Sequence, residues 1–169
     1  MGLLHRNRKS EVDVLSCLAN LDRLSALNAS GLMELPRSDA LEALTRRAAE
    51  RLGAPMAYLN VLDQRHQHHV ASFGAPATGR VEPVDASYCQ HVVAQDDVVV
   101  INDSHTDVLV ADNPSTIEGG IRAYLGVPIR RDGQCLGSFC VVDRQPRDWT
   151  DEDLAVLEEL ANEAVAAST

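Results

Sequence analysis

Aromatic side chains are scarce in this 169-residue chain: one Trp, three Tyr and two Phe make up 4% of it. A core must therefore come from Leu, Val, Ile and Ala, drawn from the 45% of residues that are hydrophobic. Positive charge is also short, with 15 Lys and Arg against 25 Asp and Glu and a formal net charge of −10. An acidic surface repels phosphate backbones and anionic lipid, so neither nucleic acid nor a membrane is expected as a partner. No apolar run is long enough to span a bilayer. The opening "MGLLHRNRK" has no apolar stretch after its charges, as a secretory signal needs, and Arg6 stands where a myristoylation signal needs Ser or Thr. A cytoplasmic protein is the expectation. Cysteine is limited to Cys17, Cys89, Cys135 and Cys140, with no C-x-x-C pair and no zinc-site spacing. These read as reduced, buried thiols. Gly74 and Gly79 have phosphate-loop spacing, but Arg80 and Val81 replace the Lys and Ser/Thr that hold phosphate and magnesium.

What is present is a length suited to one domain. We expect residues 1–10 to be a disordered tail and 11–169 a single domain. From Glu11 to about Asn28, Val14, Leu18, Leu21 and Ser25 fall near one helical stripe that Leu24 and Leu27 widen, and Gly31 suits a left-handed cap. A second helix starts at Ser38 as N-cap, places Leu41, Leu44 and Ala48 on one face, and ends at Gly53 and Pro55. "MAYLNVLD" (Met56 to Asp63) and "HQHHVASF" (His66 to Phe73) read as a strand pair. A Gly- and Pro-rich connector leads to a short helix over Ser87 to Gln95, then a buried strand over Val98 to Asp103. A long polar loop leads to two strands around Asp132-Gly133, a strong hairpin signal. Thr150, with Asp153 three residues on, caps a closing helix on which Leu154, Leu157, Ala161 and Ala164 form a seam. This order predicts an α+β domain: one central antiparallel sheet with helices on it.

A two-residue turn at Asp132-Gly133 pairs Arg131 with Gln134, then Ile129 with Leu136, Val127 with Ser138 and Leu125 with Cys140. Leu125, Ser138 and Cys140 would then share one face, with Tyr124 and Cys135 on the other. Cys135 and Cys140, five apart, would point oppositely. Both faces are apolar, so the hairpin should lie mid-sheet, with Pro128 at a bulge or where a neighbouring strand stops.

The segment "SYCQHVV" carries the sharpest chemical question. Ser87 and Gln90 match a capping box, so a helix should start just before Cys89. On it Cys89, Val92 and Val93 share a face, whereas His91, two residues on, points away. A Cys–His dyad within the segment is excluded. Cys89 reads as a pocket-lining thiol, or as a thiolate activated by a distant base. In "HQHH", His66 and His68 share a strand face and His69 opposes them. Nothing in the sequence supplies the third ligand a metal would need. Asp103, Asp107 and Asp112 lack EF-hand spacing. No metal ligand and no catalytic residue is assigned.

"SYCQHVV", "VVVINDS", "ADNPSTIEGGIRAYLGVPIR", "GQCLGSFCVVD" and "PRDWTDEDLAVLEELA" occur in that order. Together they resemble bacterial GAF domains of sensor kinases, diguanylate cyclases and phosphatase regulators, and the helical lead-in from Leu21 resembles that of the same group. The resemblance spans about Leu21 to Ala164. It implies a sheet with the helices of the chain ends on one face, often as a dimer bundle. On the other face it implies a pocket roofed by the Cys89 helix and the long loop. It also implies sensing or dimerisation rather than catalysis. Gln90 stands where bilin-binding relatives have His directly after the anchoring Cys. The Asn-Lys-Phe-Asp-Glu signature of cyclic-nucleotide relatives is missing, and the cysteine pattern differs from that of the methionine sulfoxide reductases.

The expectation is therefore a non-enzymatic regulatory protein that binds an unidentified small molecule, with no haem, bilin or other cofactor. It would pair as a homodimer through its terminal helices. With no output domain after Thr169, it would signal to a protein partner by contact. The candidate lining residues are Tyr88, Cys89, Val92, Asp103, Asn113, Ile117, Tyr124, Ser138 and Cys140. They come from both hairpin faces, because the sequence leaves open which face lines the pocket. Two alternatives stay open: a thiol-based redox sensor or reductase using Cys89, and a ligand-free dimerisation module.

Overall fold

The computed structural model describes residues 13–75 and 79–168. The tail expected over residues 1–10 lies outside them. Among the described residues, six α-helices and six strands occur in chain order: α1 (Val14–Leu18), α2 (Leu21–Ser30), α3 (Asp39–Leu52), β1 (Met56–Leu62), β2 (His66–Phe73), β3 (Val81–Pro83), α4 (Cys89–Gln95), β4 (Val99–Ile101), α5 (Pro114–Ile117), β5 (Ala123–Arg131), β6 (Gln134–Asp143) and α6 (Asp151–Ala167). The strands form one antiparallel sheet in the order β3-β2-β1-β6-β5-β4. The α+β architecture read from the sequence is the observed one.

Two apolar layers sandwich the sheet. On one face α2, α3 and α6 bury Leu27, Leu41, Leu44, Ala48, Leu154, Leu157, Leu160 and Ala161 against Leu59, Leu125, Val127, Phe139 and Val141. The seam of α6 is thus spent inside the chain. Trp149 belongs to this layer, with its Nε1 donating to the Ile101 carbonyl at 3.0 Å. The Arg147 guanidinium stacks 4.4 Å from the Trp149 ring centroid and also donates to the last carbonyls of α3. A cation there complements the negative end of the helix dipole. On the opposite face a smaller layer joins Leu18, Met56, Leu62, Val84, Tyr88, Cys89, Val92, Val99, Ile101, Tyr124, Cys135, Cys140 and Val142.

Several local expectations hold for their stated reasons. Ser38 caps α3 and Gly53 ends it at φ 64°. Gly31 ends α2 at φ 71°, and Thr150 with Asp153 forms the capping box of α6. Asp132 and Gly133 both take positive φ, the requirement of a type I′ turn. Pro128 lies beyond Gly126, whose pairing with Val99 is where β4 stops, so no β4 residue pairs with it.

Four expectations are corrected. The helix expected from Glu11 to Asn28 is broken: Asn20 turns its side chain onto the Arg23 amide at 3.0 Å and caps a new helix. This break sends Leu18 to the smaller layer and Leu27 to the larger one. The connector before Ser87 contains β3, whose three residues Val-Glu-Pro are too short and too Pro-marked to read as a strand. An edge position tolerates that proline. The polar loop after Asp103 contains α5, with Asn113 accepting from the Ser115 amide and Pro114 in the first turn.

The fourth correction reaches the site. The β5–β6 register shifts between Ile129 and Arg130: Arg130 faces Cys135, but Ile129 faces Gly137. Leu136 is the extra residue of a β-bulge. Every pair beyond it slips by one, so Val127 opposes Phe139 and Gly126 opposes Cys140. Cys135 and Cys140, expected on opposite faces, lie in the same smaller layer, and all four cysteines are free thiols.

Candidate functional site

A cleft of about 780 Å³ opens on the smaller-layer face of the sheet. Its floor is laid by strand parity. Met56, Tyr58 and Asn60 of β1, Gln67, His69 and Ser72 of β2, Val142 of β6 and Tyr124 of β5 all reach it. A second bulge makes this possible: Leu59 pairs with Ala71 but Asn60 pairs with His69, leaving Val70 as the extra residue. Val70 and Ala71 both turn to the helical layer, and His69 faces the cleft. The roof is Ser87, Tyr88 and Cys89 at the start of α4, with Ser115, Gly119 and Ile121 from the α5 segment. Arg80, Glu82 and Arg144 stand at the rim.

Few of these polar groups are idle. Glu82 Oε2 lies 3.3 Å from His69 Nε2, and His69 Nδ1 lies 2.7 Å from Asn60 Oδ1. Asn60 Nδ2 donates to Cys89 Sγ at 3.5 Å. Tyr124 Oη donates to the same sulfur at 3.1 Å and lies 2.9 Å from Ser138 Oγ. A continuous chain therefore runs from the rim carboxylate through imidazole and amide to the thiol. On the roof, Ser87 Oγ donates to Gln67 Oε1 at 2.7 Å and accepts from the Gln90 amide at 3.3 Å. The Ser87–Gln90 capping box forms only in half. The Gln90 side chain donates to the Ser87 carbonyl at 2.6 Å instead of accepting from its amide, and Tyr88 takes the N-cap position. Asn113 Nδ2 donates to the Asp85 and Ser87 carbonyls, and Tyr88 bonds Thr116 through its hydroxyl, so the α5 segment is tied to the roof.

The electrostatics arise from this packing. Burial works against a charge on Cys89. Hydrogen bonds from Cys140, Ser138, Tyr124 and Asn60 nonetheless converge on its sulfur and hold its pKa below that of an ordinary thiol. Cys140 is pushed well up by burial and by the neighbouring Cys89 sulfur. Burial raises Tyr124 well above the usual phenol value and moves Tyr58 up to about 12. The hydrogen bond from His69 holds Glu82 below the usual carboxylate range.

Of the residues singled out from the sequence, Tyr88, Cys89 and Tyr124 line the cleft. Ser138 sits directly behind them, its Oγ 2.9 Å from Tyr124 Oη, and Cys140 and Val92 are buried in the same layer as Cys89. The bulge has brought Tyr124, Ser138 and Cys140 to one face. Asn113 serves the roof from behind. Asp103 lies apart, held by Arg122 at 3.0 and 2.9 Å. Ile117, 67% exposed, is not among the lining residues. Neither is His91, in keeping with its expected orientation away from Cys89. His68 is engaged by Asp63 at 2.9 Å, and among the described residues no three His, Cys, Asp or Glu groups gather as a metal site.

Sequence reasoning missed Tyr58, Asn60, Gln67, His69, Glu82 and Arg144. Asn60 had left a signal: a lone amide inside the apolar run "AYLNVL" needs a buried partner.

Comparison with known proteins agrees with this architecture. The GAF domain family model matches residues 36–167. A cyclic di-GMP phosphodiesterase of Pseudomonas aeruginosa is 32% identical over 139 residues, covering 80% of this chain but only 23% of that protein. This chain thus spans about a quarter of the length of that curated relative. Among solved structures, a type II free methionine-R-sulfoxide reductase from Thermoplasma acidophilum superposes with TM-score 0.65 at 18% identity, covering 81% of this chain and 94% of that one. The GAF domain of an Acinetobacter phosphoenolpyruvate-protein phosphotransferase gives TM-score 0.64 at 17% identity, with coverage of 88% and 93%. Both likenesses are of fold.

Proposed function

The chain belongs to the GAF domain family, and on that premise we propose that it is a non-enzymatic sensory domain that binds a small polar molecule in the cleft beneath α4. The carrying observation is the cleft itself: a space of about 780 Å³ walled by aromatic and hydrogen-bonding side chains. Its lining sets polar groups such as Asn60, Gln67 and His69 beside the apolar Met56, Ile121 and Val142, so that a polar ligand can be both oriented and desolvated there. A ligand there touches Cys89, Tyr88 and Tyr124 together. It can therefore bias how α4 and the α5 segment sit on the sheet, which is how binding energy becomes a signal. In this reading the protein acts in the cytoplasm as a homodimer through its terminal helices and passes its signal to a partner protein by contact. The name of the Pseudomonas relative makes a protein of cyclic di-GMP turnover the first partner to try.

Native mass spectrometry of protein purified from its own host tests the reading. A stoichiometric non-covalent adduct that is lost in Tyr124→Ala supports it. Ligand-free spectra together with a crystal structure whose cleft is filled by its own side chains would overturn it in favour of a dimerisation module. The donors around Cys89 favour one second reading, a thiol-dependent reductase. It requires catalytic turnover of an oxidised substrate that stops in Cys89→Ser.

A further inference from the structure

We propose that Cys89 and Cys140 form a reversible disulfide behind the cleft wall when the protein meets a hydroperoxide. The two thiols come from different elements, α4 and β6, and the bulge at Leu136 alone brings them together: without the register slip Cys140 would face the helical layer. Both thiols are buried in the same layer, and Tyr124 Oη, which donates to Cys89 Sγ at 3.1 Å, lies over Gly126, the cross-strand partner of Cys140, so the two thiols flank one hydroxyl. Cys89 also forms part of the wall of an open cleft, which gives a small oxidant a route that its burial otherwise denies. The other two thiols are placed differently. Cys135 donates to the Gly137 carbonyl at 3.4 Å, and burial moves it up to about 12; Cys17 donates to the Ala94 carbonyl at the far end of α4.

The chemistry closes with a hydroperoxide as the oxidant. The Cys89 thiolate attacks the terminal peroxide oxygen, the S–O bond forms and the O–O bond breaks. The alkoxide or hydroxide leaves and takes a proton from solvent. The Cys140 sulfur, giving up its proton, then attacks the Cys89 sulfenic acid. The S–S bond forms, the S–O bond breaks, and hydroxide departs with that proton as water. Overall, two thiols lose two electrons and two protons, and the peroxide becomes one alcohol or water plus one water. Because a disulfide holds its sulfurs about 2 Å apart, closer than two unbonded thiols approach, the bond draws α4 toward β6. It also removes Cys89 as acceptor for Asn60 and Tyr124, so oxidation reshapes the cleft wall whatever the cleft contains.

The test is peptide mapping of the reduced full-length chain after one equivalent of hydrogen peroxide, with free thiols alkylated under denaturing conditions. The expected result is a loss of two hydrogens in intact mass, one linked peptide pair containing Cys89 and Cys140, alkylation retained on Cys17 and Cys135, and recovery with dithiothreitol. In Cys140→Ala, oxidation should stop at a dimedone-trappable sulfenic acid on Cys89. The inference is overturned if native protein keeps all four thiols under conditions that oxidise glutathione. It is overturned equally if the linkage involves Cys17 or joins two chains. The wild-type map decides even where a variant fails to fold.

Discussion

Asn60 spends both ends of its amide inside an apolar strand, accepting at His69 and donating at Cys89. Replacing it by Leu takes a hydrogen-bond partner from buried Cys89 and from half-buried His69. A loss of about 1–3 kcal/mol in urea-measured stability is expected for Asn60→Leu. Tyr124→Phe is a finer probe, because the ring remains and only the hydroxyl between Cys89 and Ser138 goes. It should cost about 1 kcal/mol. It should also move the pH midpoint of Cys89 alkylation upward, since one of four donors to the sulfur is lost; an unchanged midpoint would show that the hydroxyl does not tune the thiol. At this scale the sequence revealed the inward set on α4, because a helix fixes what lies three and four residues apart. It could not reveal His69 and Asn60 as neighbours, because their meeting depends on a bulge at Val70 that no local pattern marks.

Among the elements, the β5–β6 bulge has the widest reach, since it sets the facing of Tyr124, Ser138 and Cys140 together. Gly137 pairs with Val61 beside it, and a Cβ there would lie 1.9 Å from the Asn60 carbonyl oxygen, a contact that only backbone movement relieves. Gly137→Ala should therefore destabilise the protein by about 1–3 kcal/mol or more. It should also disturb the Cys89 environment, visible as a changed alkylation rate. Thr150→Ala removes the capping box of α6 and should cost about 1 kcal/mol with the cleft unaffected. The capped helices, the first hairpin and the Asp132-Gly133 turn were readable because Ser, Thr, Gly and Asp act within a few residues. The register beyond Ile129, the three-residue β3 and the break at Asn20 were not, since each is decided by what packs against it.

For the molecule as a whole, the ionisable groups predict a stability plateau near neutrality. Hydrogen bonds hold Glu82 below its ordinary range, and Asp63 is held there too, against burial, by His68 and the Arg65 and His66 amides. Their contribution is present above the unfolded carboxylate values and is lost as pH falls through the folded ones. On the alkaline side burial raises Cys135 and Tyr58 to about 12. Their contribution is full below the unfolded thiol and phenol values and is lost as pH rises toward 12. Urea midpoints should fall on both flanks, and Cys135→Ala should flatten the slope between about pH 9 and 11. The proposed pairing of two chains would use surface that folding leaves over, because the α6 seam is buried. Leu15 and Leu21, 73% and 81% exposed on the first two helices, are the apolar positions available there. Leu21→Glu should convert the proposed dimer to monomer in sedimentation velocity at micromolar concentration without changing the thermal midpoint of the monomer.

Trp149, held at Ile101 and stacked under Arg147, gives the protein a built-in optical label. It is the chain's single tryptophan and lies in the layer behind the sheet, away from the cleft. Its emission should be blue-shifted while the helical layer stands. Ligand entry or oxidation at Cys89 should leave that emission in place, whereas unfolding shifts it to the red. One fluorescence trace thus separates events at the cleft from loss of the fold.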